Sequence, residues 1–459
     1  MIRCIAALMA VTTLTAGAQE IRPETIRAHM NFLASDLLEG RGAGTRGHDI
    51  AAAYVVAQFE AAGVEPGANG SYLQTVPFRK TIPDERSSIT LIPDRGNPIL
   101  LKFGDAFVTR GDALQEDRTV EGRVAVAGYG ITAPELNHDD YAGIDVRDKI
   151  VVVFNGAPSR FAGPIRAHYS STTGKIENAV EHGAAGMIMI NTRGEAQRSP
   201  WDRTVRQSRL GAMHWIDGDG VPHDVSPRIS SITTFNPAAI DQLFGGGQSL
   251  SELAKALKDD TLPSRDLPVR AVIRTISAHS RVDSPNVVGL VRGSDERLRD
   301  EYLVYSSHLD HLGISAPVGG DSINNGAFDN ASGIAALIEI ARAMAARKPA
   351  PRRSMLFLAT TAEEKGLRGA DYFAINPTVP PNQVVANINV DMILMTDPVR
   401  DVVVHGIDAS SLGDAARAVS AETGIEISDE EAENIRTVGD AVRFINGLLD
   451  AIRRTLQRE

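Results

Sequence analysis

The chain has 459 residues, 43% hydrophobic and 23% charged, with a formal net charge of −11. That length exceeds one ordinary core, so two or three domains are expected, and the composition is that of a globular protein. The acidic balance disfavours nucleic acid and anionic membrane surfaces as partners, and no run of 18 apolar residues marks a transmembrane helix.

The chain opens like an export signal. Met1-Ile2-Arg3 is a short positive start, Cys4–Leu14 an apolar core, and Ala16-Gly17-Ala18 a small-residue cleavage site. Cleavage there leaves a mature chain beginning at Gln19, without Cys4, the only cysteine. Such a chain is expected to be periplasmic or secreted.

From residue 21 to 78, Ile26, Met30, Leu33 and Leu37–Leu38 have helical spacing, and Ala51–Ala62 resumes it up to Gly63. Between them lies a glycine-rich run, Gly40 to Gly47. Its spacing matches neither a P-loop nor a dinucleotide fingerprint, so it reads as a turn between helices. Residues from about 80 to 118 are strand-rich connectors. Val124–Tyr129, Lys149–Phe154 and Ala185–Ile190 are short strands, with a helix end at Asn178–His182 between the last two. Phe235–Leu257 reads as a helix, Val269–Ile276 as a strand, and Asn286–Leu290 as a return to the first domain. The histidines of this block, His138, His168, His182, His214 and His223, have no tight ligand spacing and read as solvated or structural.

The stretch Tyr302–Met392 carries the chemistry. Three apolar runs, each short enough to be a buried strand, end in residues that bind metals or move protons. Tyr302–Ser306 runs into His308, Asp310 and His311; Ser354–Thr361 into Glu363 and Glu364; Val385–Val390 into Asp391. Asn325–Asn330 opens a helix with Ile334, Leu337, Ile338, Ala341 and Met344 on one face. Sites in open α/β sheets form outside the carboxyl ends of strands. Imidazole with carboxylates suits zinc, cobalt or manganese. Asp310 is placed to accept the second ring N–H of His308 and fix its tautomer. Asp329, at a helix start, gains from the helix dipole and can bridge two ions about 3.5–4 Å apart. Of the adjacent Glu363 and Glu364, one can bind metal while the other serves as general base.

Four motifs, Ser307–Gly313, Gly326–Gly333, Ala362–Gly369 and Asn389–Met392, together resemble the secreted di-zinc aminopeptidases of the aminopeptidase Y and bacterial leucyl aminopeptidase type. Gly128–Ile131, Asp140-Tyr141, Asp148–Val153 and Gly183–Gly186 resemble the protease-associated domain inserted in such enzymes. The resemblance implies an α/β fold: a mixed β-sheet sandwiched by helices, with a β-rich protease-associated insertion. It divides the chain into a signal peptide at 1–18, catalytic parts at 19–118 and 278–459, and an insertion at 119–277.

It also implies roles. His308 and Asp391 hold one zinc, Asp329 bridges, and Glu364 holds the second zinc. Glu363 is the general base and Asp310 orients His308. A hydroxide between the ions attacks the scissile carbonyl of an N-terminal residue in a peptide substrate. The family has a fifth ligand, a histidine in a loop after the Asp391 strand and helix. Here the last histidine is His405, and a segment near 433–437 looks deleted ahead of a final helix, Thr437–Leu456. Two carboxylates alone hold an ion weakly, so one tight and one weak zinc are expected; His311 and His405 are the histidines that could replace the missing one. Two other functions stay open: a binding protein of the same fold without catalysis, and a single-zinc acyltransferase akin to glutaminyl cyclases.

Overall fold

The computed structural model describes residues 21–161, 163–192, 196–197, 199–223, 229, 232–244, 255, 264–392, 401–402, 404, 407 and 410–427. The export signal, His405, the 433–437 segment and the final helix lie outside these residues. Contacts divide the chain into two units, one of residues 1–79, 213–221 and 281–393, the other of 80–212, 222–280 and 394–459.

The first unit is built on four strands: β1 (Arg265–Val291, whose last residues lie in this unit), β2 (Tyr302–His308), β3 (Ser354–Thr360) and β4 (Val384–Asn389). Their order is β4-β2-β3-β1. β2 runs parallel to both β3 and β4, whereas β1 runs antiparallel to β3, with Gly289 opposite Phe357. The helices are α1 (Pro23–Leu33), α2 (Arg46–Ala62), α3 (Ser332–Ala346) and α4 (Arg368–Ile375). The period of two along β3 serves both faces. Met355, Phe357 and Ala359 pack with Val55 and Phe59 of α2 and Ile334, Leu337, Ile338 and Ala341 of α3. Leu356 and Leu358 pack with Val304 and Phe373, the latter from α4. Such a strand is apolar throughout, as its sequence is.

This is the expected mixed sheet between helices. The chain leaves β2 through α3 to β3 on one side, then crosses through α4 to β4 on the other. Strand order therefore reverses at β2, and a crevice opens at its carboxyl end. Fully buried strands were expected on all three apolar runs, but β4 alternates between half-buried and exposed, with Val385 50% exposed. Among the described residues only β2 pairs with it.

The second unit has a parallel core. Val124–Val126, Ile150–Phe154, Gly186–Ile190 and Ile232–Phe235 lie side by side in that order. Val152, Phe154, Ile188 and Ile190 face one apolar cluster, and Val151, Val153, Met187 and Met189 the other. Two expectations change here. The helix read over Phe235–Leu257 starts two residues later, with a 3-10 turn at Pro237–Ala239 capped by Asn236 and an α-helix described over Ile240–Phe244, because Phe235 ends a strand beside Ile190. The two strands read at Val269–Ile276 and Asn286–Leu290 are parts of one continuous strand, β1, with no breaking turn between them.

Candidate metal centre

Four segments meet at the carboxyl end of β2: the ends of β2, β3 and β4 and the turn before α3. His308 ends that strand with its side chain 3% exposed. Its Nδ1 lies 3.1 Å from the main-chain oxygen of Asp310. A carbonyl only accepts, so Nδ1 carries the hydrogen and Nε2 is left to face a ligand. The expected partner was the Asp310 carboxylate; it is instead the Asp310 carbonyl, since two residues of spacing fold the main chain back under the ring. The carboxylate is fully buried and accepts from the N–H of Glu363 at 2.9 Å and of Glu364 at 3.3 Å. Asp310 thereby fixes the glutamate loop. Burial pushes its carboxyl up to about 6, offset in part by the His308 charge and the Glu363 N–H.

Nε2 of His308 lies 3.1 Å from Oδ1 of Asp329 and 3.3 Å from Oδ1 of Asp391. Burial alone would lower its pKa, but the Asp329 hydrogen bond and the charges of Asp310, Glu363 and Asp391 raise it to about 9. A proton is thus held where one ring and several carboxylates converge, which is where a cation would be held too. Asp329 does not sit in the first turn of α3 as expected. It precedes that helix in an irregular turn, Ala327–Ala331, and its peptide to Asn330 is cis. The helix start is served by Asn330, whose Oδ1 accepts from Gly333 N at 2.9 Å. Asn330 is fully buried and its Nδ2 also donates to Ser307 Oγ (2.9 Å) and Val390 O (3.0 Å). One side chain ties together the ends of β2 and β4 and the start of α3.

A second group stands beside the first. Nδ1 of His311 lies 2.6 Å from Oε1 of Glu364 and 3.9 Å from Oδ1 of Asp329. The donor atoms of His308, Asp329 and Asp391 lie within 4.8 Å of one another, as do those of His311, Asp329 and Glu364. Asp329 belongs to both. Each set offers imidazole nitrogen and carboxylate oxygen, the donors of zinc, cobalt or manganese sites. His311 Nδ1 and Glu364 Oε1 are buried and face each other as an ion pair. The residues therefore fit a divalent metal. The five histidines of residues 138–223 take part in neither group.

Glu363 belongs to neither set. It lines a cavity of about 480 Å³ with His308, Asp391, Val304, Leu358 and Phe373. Burial, aided by Asp310, Glu364 and Asp391 and opposed by His308, raises its carboxyl to about 7.

Arg41 is what the sequence reading missed. The glycine-rich run is a turn between helices as expected, but the Arg41 side chain within it is 1% exposed. Nε donates to Leu309 O at 3.0 Å, Nη1 to Leu33 O and to Asn325 O, and Nη2 to Gly326 O at 2.8 Å. It clamps the His308–His311 loop to the loop that delivers Asp329. Only the position of the arginine among glycines hinted at this, because its partners lie far off in sequence. Gly326 has φ +60°, and a Cβ there would sit 2.6 Å from Cγ of His311, so that ring packs directly on the glycine.

Residues 286–453 match the model of Peptidase family M28, and residues 108–221 that of the PA domain. Aminopeptidase NAALADL1 of Mus musculus is 33% identical over 138 residues, covering 28% of this chain and 17% of that protein. The probable glutamate carboxypeptidase VP8 of Zea mays is 24% identical over 375 residues, covering 76% and 48%. A probable zinc metalloprotease of Pyrenophora teres is 34% identical over 112 residues, covering 24% and 23%. The matches thus span less than half the length of these relatives. Among solved structures, the aminopeptidase from Aneurinibacillus sp. strain AM-1 is 19% identical with a TM-score of 0.49, over 88% of this chain and 78% of that one. The zinc aminopeptidase BSAP from Bacillus subtilis is 17% identical with a TM-score of 0.45, over 89% and 79%. Residues 286–453 are thus similar to Peptidase family M28, and residues 108–221 to the PA domain.

Proposed function

We propose that this chain is an exported zinc-dependent exopeptidase that removes N-terminal residues from peptides, with Glu363 as general base. The observation that carries the reading is the position of Glu363. It shares a cavity with His308 and Asp391, and burial raises its carboxyl to about 7, where a base works best at neutral pH. When bound at His308, Asp329 and Asp391, zinc supplies Lewis acidity toward a carbonyl and an acidified water. The chain's own residues do the rest. Glu363 accepts the water's proton and returns it to the leaving amide nitrogen. Asp310, through the N–H groups of Glu363 and Glu364, holds that base in place. Arg41 and Asn330 hold the loops that bring His308, Asp329 and Asp391 together.

The cavity supports the amino end as the end recognised. Its described lining includes Glu363 and Asp391 but neither lysine nor arginine. A free ammonium would meet carboxylates there, whereas a free carboxylate would find no lysine or arginine among the described lining residues. Below the polar rim Val304, Leu358, Leu367, Phe373 and Val384 line the wall, which suits an apolar side chain on the terminal residue.

Incubation of the purified chain with Leu-Gly-Gly and its N-acetyl derivative tests this. Leucine is expected from the free peptide only; release from the carboxyl end, or equal attack on the blocked peptide, would contradict the reading. Export is tested by mass spectrometry of the processed protein. A mature start at Gln19 is expected, and an intact Met1 on exported protein would refute it.

A further inference from the structure

We propose that His311 supplies the nitrogen ligand of a second divalent-cation site, completed by Glu364 and the shared Asp329. The proposal deepens the peptidase reading and rests on it for the class of ion. It reverses the expectation of a weak second ion, which assumed that the nitrogen had to come from the C-terminal part of the chain.

Three observations carry it. Nδ1 of His311 and Oε1 of Glu364 are buried and face each other at 2.6 Å, and with a carboxylate oxygen of Asp329 these donor atoms all lie within 4.8 Å of one another. Next, the spacings suit an ion. Ligands of a tetrahedral zinc at about 2.0–2.1 Å stand roughly 3.3–3.5 Å from one another. The observed 2.6 Å and 3.9 Å bracket that separation, so small side-chain rotations seat the ion. Finally, the ring is held in advance. His311 N donates to Arg41 O at 3.2 Å, the residue bridges to Gly42, and its ring packs on Gly326. Two carboxylates face it. The Arg41 guanidinium donates to four carbonyls rather than to either carboxylate. Three protein ligands are what catalytic zinc usually has.

The test is metal binding by the full chain, stripped by chelation and dialysed against buffered zinc. The wild type is expected to retain two ions. His311→Gln should retain one, with the second weakened by at least about 100-fold, since loss of an outer-shell partner alone costs 10–100-fold. In a cobalt titration, the second equivalent should bring its own visible band in the wild type and none in His311→Gln. Glu364→Gln, which removes the opposite ligand, serves if His311→Gln fails to melt cooperatively. A single ion in the wild type, or two tight ions in a folded His311→Gln, would overturn the proposal. Two ions, the second dependent on His311, in a chain that releases no amino acid would sink the peptidase reading and leave this one standing. Release by a chain that binds one ion would do the reverse.

Discussion

Glu363→Gln is expected to lower kcat for N-terminal leucine release by on the order of 10²–10⁴, the usual worth of general acid–base catalysis. Zinc content should stay at the wild-type level, because Glu363 contributes no atom to either donor group. The substitution is nearly isosteric, so the cavity wall formed with Val304, Leu358 and Phe373 should persist. The pH profile adds a signature that a structural defect would not give. Glu363 must be deprotonated to accept a proton, so the wild-type rate should fall as pH drops through its pKa. In the metal-free chain burial raises that pKa from 4.5 to about 7. Cations on the neighbouring carboxylates draw it down again, so the acid limb should lie between those values. Glu363→Gln should lose that limb. Steady-state kinetics with zinc analysis on the same samples checks both, and an unchanged kcat would move the base elsewhere.

Arg41→Met is expected to destabilise the first unit by about 3 kcal/mol or more, because it removes a charged donor from four carbonyls in a buried site. For a unit of this size that is roughly 6–12 °C in Tm. Metal affinity should fall as well, by about 10–100-fold, since the loops that deliver His308 and Asp329 lose their common clamp. Arg41→Lys should recover only part of either quantity. An ammonium is a single point of donation and cannot span carbonyls that a planar guanidinium reaches on three sides. Burial already lowers the Arg41 pKa to about 10, against the pull of Asp310, Asp329 and Glu364, so the residue stays charged at neutral pH. Calorimetry of the metal-free protein separates the fold effect from the metal effect. A Tm within a degree or two of wild type would show that water replaces the clamp.

Much of the centre was legible because its signals are local. Apolar runs of strand length ending in His308, Glu363-Glu364 and Asp391 announce side chains at strand ends. The helical period from Ile334 to Ala341 announces the face that α3 buries. What was not legible depends on direction or distance. Spacing put Asp310 under His308, but not which of its oxygens meets the ring. The carbonyl does, and the carboxylate is thereby free to hold the next loop. His311 was visible as a histidine, yet its aim is set by Arg41, Gly42 and Gly326, residues distant in sequence. Arg41 itself was hidden in a glycine-rich turn, because a clamp on carbonyl groups leaves no mark in its partners' side chains. The start of the helix read from Phe235 was misplaced for a simpler reason: apolar residues that continue a sheet at Phe235 also fit a helical period.

Under the proposed function, His308, Asp329 and Asp391 hold the ion on which peptide hydrolysis depends. The most direct measurement is leucine release by the chelated chain as zinc is returned, with Asp391→Ala run beside it. Activity should be absent after chelation, return in proportion to zinc bound, and stay absent in Asp391→Ala. Release of leucine by the stripped chain, or full recovery in Asp391→Ala, would contradict it.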